Sequence, residues 1–193
     1  MLIGLVGLIG SGKDTVAERL VMNHNFRKDS FARSLKDAVS VIFGWDRQLV
    51  EGATKESRIW REQVDPYWSK KFNKTITPRS IMQYWGTEIM RGHLHDNIWI
   101  DSFIARYDGG DVVISDTRFI NEIQTIRELK GKIVLVQRGD IPSREEMQEK
   151  GVHQSEWDWI GQQFDYVIDN SGTLQDLNEK VDAMTIDLLR DRR

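Results

Sequence analysis

The chain has 193 residues, 39% of them hydrophobic and 30% charged, with a formal net charge of −3 and no cysteine. That length suits one domain of the usual ~100–200 residues. The charge balance argues against a polyanion or membrane-surface partner, and the missing cysteine excludes disulfides, cysteine zinc sites and a thiol nucleophile together.

Leu2-Ile3-Gly4-Leu5-Val6 is a short apolar run of the kind found in buried parallel strands, and it breaks at Gly7. Without a basic leader segment it reads as a strand rather than a signal peptide, and no apolar run approaches the ~18 residues of a membrane helix, so a cytosolic protein is expected. From Lys13 the spacing turns helical, with Val16, Leu20 and Val21 on one face. A second strand is predicted within Phe26 to Ala32 and a second helix from Ser34 to Phe43. Trp45 to Thr77 differs in kind: Trp45, Trp60, Tyr67, Trp68 and Phe72 stand among many charges, and Pro66 interrupts them, which suggests an inserted helical flap. Pro78 is well placed as the first residue of a helix capped by Thr77 and running to about Arg91, followed by another from Asp96 to about Tyr107. Asp111 to Asp116 predicts a buried strand ending in a carboxylate, Asn121 to Lys130 a helix, and Lys132 to Gln137 a third apolar strand. After a polar stretch from Arg138 to Gly161 come a last short strand, Tyr166-Val167-Ile168, and an amphipathic helix from Leu174 to Leu189. Strands alternating with helices imply an α/β three-layer sandwich around a mostly parallel five-stranded sheet.

Gly7-Leu8-Ile9-Gly10-Ser11-Gly12-Lys13 fits the G-x-x-x-x-G-K core of a P-loop, set between a strand and a helix as that motif requires. Glycines let the backbone curl until several N–H groups face one anion, and the following helix adds its positive end. Lys13 is then expected to neutralise the outer phosphates of ATP, with Gly10, Ser11, Gly12, Asp14 and Thr15 completing the loop. Asp14 stands where a hydroxyl is usual. A carboxylate there repels phosphate unless it faces magnesium or a substrate hydroxyl, and Thr15 still offers a hydroxyl one residue later.

A GTPase needs a guanine-reading Asn-Lys-x-Asp, and Asn73-Lys74-Thr75-Ile76 lacks the aspartate. Motors and helicases need more chain, whereas small-molecule kinases fit the size. Asp116-Thr117-Arg118 falls at the carboxyl end of a strand, where open α/β sheets bind ligands. Asp116 suits magnesium through water, as does the Thr15 hydroxyl, and Arg118 suits a two-pronged contact with phosphate. Arg138 and Arg144 flank Pro142 where a kinase carries its lid, about 138–161, and Arg138 is the expected catalytic lid arginine. Asn170 and Gly172, in the turn after the last strand, are placed to meet adenine, with Thr173 as N-cap in the plainer reading. His93-Leu94-His95-Asp96 lacks the spacing and third ligand of a metal site, and His153-Gln154-Ser155-Glu156 has no nucleophile elbow beside it, so the latter reads as a surface turn or lid contact.

The chain resembles the phage-type deoxynucleoside monophosphate kinases of the P-loop nucleoside monophosphate kinase superfamily. The resemblance rests on Gly10-Ser11-Gly12-Lys13-Asp14-Thr15, Leu35-Lys36-Asp37-Ala38, Arg79-Ser80-Ile81-Met82-Gln83-Tyr84-Trp85-Gly86-Thr87-Glu88, Asn97-Ile98-Trp99, Ser115-Asp116-Thr117-Arg118 and Asp169-Asn170-Ser171-Gly172-Thr173-Leu174. It implies one kinase domain with an acceptor-binding insertion at about 45–92 and phosphoryl transfer from ATP, with Mg2+, to a deoxynucleoside monophosphate. It further implies that Lys36 and Arg79 meet the acceptor phosphate or sugar and that Gln83 and Trp85 hold the base, with Asp14, Thr87, Trp99 and Arg118 on the same substrate. Small nucleotides are then the partners, with no nucleic acid or membrane, the host cytoplasm is the setting if a phage encodes the chain, and pairing into a homodimer is left open. Dephospho-coenzyme A kinase is the near rival, since it shares the start and the tail but lacks the Arg79–Glu88 string. A P-loop regulatory module without transfer activity is the rival of another class.

Overall fold

The computed structural model describes residues 1–190 and divides into two compact units, Met1–Ser30 with Tyr107 onward, and Phe31–Arg106. In chain order the first unit supplies β1 (Leu2–Val6), α1 (Lys13–His24) and β2 (Arg27–Asp29). The second unit holds α2 (Arg33–Phe43), α3 (Arg47–Glu51), α4 (Lys55–Glu62), α5 (Pro66–Phe72), α6 (Pro78–Gln83), a π-helix at Tyr84–Leu94 and α7 (Ile98–Ile104). The chain then returns to the first unit with β3 (Val112–Ile114), α8 (Ile120–Glu128), β4 (Lys132–Gln137), α9 (Arg144–Glu149), a 3-10 turn at Gln154–Glu156, β5 (Tyr166–Asp169) and α10 (Leu174–Arg190).

The five strands form one sheet in the order β2-β3-β1-β4-β5, and every pairing is parallel rather than only most of them. Parallel strands need both faces covered, which is why β1 and β3 are apolar without alternation. On one face Ile3 and Leu5 pack with Val16, Leu20, Val181 and Met184 of α1 and α10. On the other, α8 comes so near that a Cβ on Gly4 would lie 2.4 Å from Ile126 Cδ1. The buried stripe of α1 is Val16, Ala17 and Leu20, and Val21 points to solvent instead of sharing it. Because all strands run the same way, the loops leaving β1 and β3, which are neighbours, emerge at one edge of the sheet.

The second unit is broader than the expected 45–92 insertion, because α2 and α7 belong to it. Its helices are short, and rings hold them together. Phe43 stacks on Trp45 at 4.5 Å and meets Trp68 edge-on at 4.9 Å, while Phe31 meets Phe103 at 5.2 Å. Thr77 caps α6 in a reciprocal box with Ser80, and Pro78 opens the helix as its sequence requires. The predicted helix beyond Gln83 continues as a π-helix. There Gly86 lies against Leu35, and its carbonyl accepts the indole N–H of Trp99 at 2.9 Å, an outside donor inserted at the helix of the kind that distorts its ladder.

Candidate active site

The phosphate loop is fixed by contacts that only glycine permits. Gly7 has φ +145° and a Cβ there would lie 2.3 Å from Val136 O; Gly12 has φ +105° and a Cβ there would lie 2.4 Å from Asn170 Nδ2. Asn170, at the end of β5, donates to Ser11 O at 2.8 Å and ties the loop to the neighbouring turn. Ser11 Oγ is buried without a hydrogen-bond partner, as is Thr117 Oγ1. Buried hydroxyls seldom stay unpaired, so the orphan within the loop fits a ligand bearing acceptor oxygens.

Lys13 Nζ donates to Gly7 O at 2.8 Å and Leu8 O at 2.9 Å, and so lies across its own loop. Burial, then repulsion from Arg118, pushes its ammonium down to about 8, while Asp14, Glu156 and Asp116 work in the opposite sense. Asp14, exposed on the first turn of α1, pairs with Lys28 of β2 at 2.9 Å. That partner partly neutralises the carboxylate whose nearness to phosphate looked unfavourable in the sequence.

Asp116 follows β3 and accepts a hydrogen bond from Ser30 Oγ at 2.8 Å. The next turn is set by Glu122, whose carboxylate accepts from the backbone N–H of Arg118 at 2.7 Å and Phe119 at 3.0 Å. The Arg118 guanidinium reaches the 3-10 turn, pairing through Nη1 with Glu156 and bonding Ser155 O at 3.4 Å. Burial alone would weaken its charge; Glu156 foremost, then Asp116 and Glu122, together outweigh that and raise its affinity for the proton. Lys13, Asp116 and Arg118 therefore form one electrostatic cluster.

The lid arginines do not join it. Arg138 is exposed in the loop after β4, and no ion pair among the described residues involves it. Arg144 bonds Asp158 O at 2.6 Å and Oδ1 at 2.9 Å and lies over the Trp157 ring, so it serves the packing of its own segment. In the β5–α10 turn, Gly172 abuts Asp176 and Thr173 caps α10 through a reciprocal box with that aspartate. No group of three or more His, Asp or Glu converges among the described residues.

Within the second unit, Lys36 is nearly buried and pairs with Glu51 at 2.5 Å, and Arg47 bridges Glu51 and Asp37. Burial would raise the Glu51 carboxyl, but Lys36 and then Arg47 hold it below the usual range. Arg79 stands 3.4 Å from Glu62. Gln83 and Thr87 are half-buried. Trp85 lines an apolar concavity of about 260 Å³ with Phe43, Phe72, Ile81 and Tyr84. One expectation needs correction. Trp99 is only 8% exposed with its N–H bonded to Gly86 O, which makes it part of the core rather than a ligand surface.

Sequence reasoning missed Lys28, Ser30 and Glu156. Glu156 sits in the His153–Glu156 string already noticed, but nothing local links it to an arginine 38 residues earlier.

The family described as deoxynucleotide monophosphate kinase matches residues 54–181, a stretch that includes Asp116, Arg118 and Glu156. The chain belongs to this kinase family. A provisionally named deoxynucleotide monophosphate kinase of Acanthamoeba polyphaga mimivirus is 30% identical over 94% of each chain. The deoxynucleoside-5′-monophosphate kinase of Escherichia phage T5 is 28% identical over 66% of this chain and 72% of its own. The deoxynucleotide monophosphate kinase of Escherichia phage RB69 is 22% identical over 95% and 98%. Among solved structures, shikimate kinase of Aquifex aeolicus superposes with a TM-score of 0.48 at 12% identity, covering 98% of both chains. The kinase family acts on small nucleotides, and no described helix of this member is long and apolar enough to cross a membrane.

Proposed function

We propose that the chain transfers the γ-phosphoryl group of ATP to the 5′-phosphate of a deoxynucleoside monophosphate, in the cytoplasm of the host cell. The observation that carries this reading is the joining of Lys13, Asp116 and Arg118 at the carboxyl ends of adjacent strands, beside a loop in which Gly7 and Gly12 leave no room for a side chain. An acceptor phosphate oxygen, already ionised at neutral pH, attacks γ-phosphorus. The bond from γ-phosphorus to the bridging oxygen breaks, its electrons leave with ADP, and the product is the deoxynucleoside diphosphate. No general base is needed, so catalysis rests on alignment and on compensating charge.

Lys13 exchanges the carbonyls of Gly7 and Leu8 for ATP phosphate oxygens, and the anion restores its full charge. Arg118 serves the transferring group and the acceptor, and Arg138 reaches them only when its loop moves. Thr15 and, through water, Asp116 would hold Mg2+, which would neutralise charge on the phosphate oxygens. The Asn170–Gly172 turn, adjoining the loop through Ser11, suits the adenine end of ATP. Lys36, Arg79, Gln83 and Thr87 carry the acceptor.

Purified protein with ATP, Mg2+ and each deoxynucleoside monophosphate in turn, with dephospho-coenzyme A in parallel, tests the reading by ADP release and by 31P NMR of the product. Acceptor-dependent ADP with at least one deoxynucleotide is expected. Turnover confined to dephospho-coenzyme A would select the rival kinase, and ADP release with no acceptor dependence would reject both.

A further inference from the structure

Glu156 comes from a segment that sequence reading treated as a solvated turn, yet its side chain is only 12% exposed. The turn that carries it is tightly specified. His153 caps it by accepting from Ser155 N, Trp159 donates its indole N–H to Glu156 O at 3.1 Å, and Trp159 itself is 2% exposed. Two residues on, Asp158 accepts from the backbone N–H of Ile120 at 3.1 Å and from Arg144. The turn is therefore docked on the Asp116–Ile120 loop at two points, Arg118 and Ile120. Among the described residues, Arg118's side-chain hydrogen bonds run through Nη1, to Glu156 and to Ser155 O, and its Nε and Nη2 make none.

We propose that Glu156 is a positioning residue for Arg118, gripping one edge of the guanidinium so that the Nε–Nη2 edge is offered to the phosphoryl group in flight. A planar guanidinium held at one edge loses rotamer freedom before substrate arrives, and its other edge retains the two-pronged geometry that matches phosphate oxygens. The carboxylate also offsets the repulsion between Arg118 and Lys13, which share the cluster. This inference rests on the kinase reading for Arg118 but concerns a residue that the phosphate-loop motif does not contain.

The test is a double-mutant cycle on the full chain under saturating ATP and acceptor. Glu156→Ala is expected to lower kcat by about 30–100-fold, the scale of a misplaced catalytic group, while KM for ATP changes less than about threefold. Glu156→Asp should recover part of the loss, and Glu156→Gln, which keeps an acceptor at nearly the same place, should lose less than the alanine variant. In an Arg118→Ala background, Glu156→Ala should cost little more, because its effect passes through the arginine. An undiminished loss in that background would overturn the proposal, as would a KM effect equal to the kcat effect. Arginine side-chain NMR gives a readout free of turnover: the Arg118 Nε signal should be ordered in the parent and averaged in Glu156→Ala. An ordered signal in Glu156→Ala would also overturn the proposal. If the parent shows no kinase activity, the function reading fails, and the NMR comparison still decides whether Glu156 holds Arg118.

Discussion

The two units solve the burial problem with different materials. The sheet unit packs Ile, Val and Leu in two layers and gathers a cluster of charge at one strand edge, where Lys13, Arg118, Asp116 and Glu156 offset one another. The helical unit of Phe31–Arg106 has no sheet to organise it. It relies on a few large rings, on caps such as Thr77 with Ser80, and on ion pairs such as Lys36 with Glu51. Many small aliphatic contacts spread the effect of any one loss, whereas a cluster of rings concentrates it. The first arrangement also leaves the strand edge to chemistry.

The largest effect should follow from removing the charge at that edge. Lys13→Ala is expected to lower kcat by at least about 10²–10³-fold, the range for losing one preorganised donor to a developing anion, while thermal unfolding stays close to the parent. The same ammonium sets a pH dependence. Its proton leaves near pH 8 in the free protein and is held more tightly once phosphate binds, so ATP binding takes up a proton above pH 8. Calorimetric titration should show affinity falling as pH rises from 8 towards 10 and flat below 7, and Lys13→Ala should abolish the slope. An unchanged slope in that variant would assign the titration to another group.

A second contrast sharpens the comparison of materials. Trp45 is 8% exposed, stacks on Phe43, and donates its indole N–H to Asp65 at 2.8 Å. Trp45→Ala is expected to cost about 3–5 kcal/mol in urea unfolding, as for other buried tryptophans, while Ile126→Val in the sheet unit should cost about 1 kcal/mol. Comparable losses at the two sites would remove the distinction between concentrated and distributed burial.

Legibility in the sequence followed the same division. The phosphate loop, the β4 strand and the Asp116–Arg118 turn were readable because strand period, glycine placement and a lysine at fixed spacing are local signals. The flap was recognisable as helical from Pro66, Pro78 and Thr77, but not the use of its tryptophans. Whether an indole faces a ligand or the core depends on helix crossings that no local pattern encodes, and so Trp99, which bonds Gly86 from within the core, reads from sequence as a substrate contact. The π-helical turn after Gln83 was equally hidden, because it arises where Leu35 and Trp99, distant in sequence, meet Gly86. Glu156 and Lys28 are long-range partners of residues that were found, and only the fold brings them near.

The smallest expected effect lies between α1 and α10, where one ion pair supplements an aliphatic seam. Asp182 of α10 receives Arg19 Nε at 2.9 Å and Nη2 at 2.5 Å and sits 2.8 Å from His24 Nε2. The Arg19 bonds chiefly, then His24, hold its carboxyl down to about 2 from an ordinary 3.8. A carboxylate with a depressed folded-state pKa stabilises the protein fully above 3.8, and that contribution disappears as the pH falls through 3.8 towards 2. The side chain is about a third exposed, so screening reduces the effect to roughly 1 kcal/mol. Urea unfolding of the parent and Asp182→Asn should differ by that amount at pH 6 and converge near pH 2. A gap that persisted unchanged to pH 2 would mean that the pair acts through packing of the Arg19 stem over α10 rather than through charge, and the seam between α1 and α10 would then be apolar throughout.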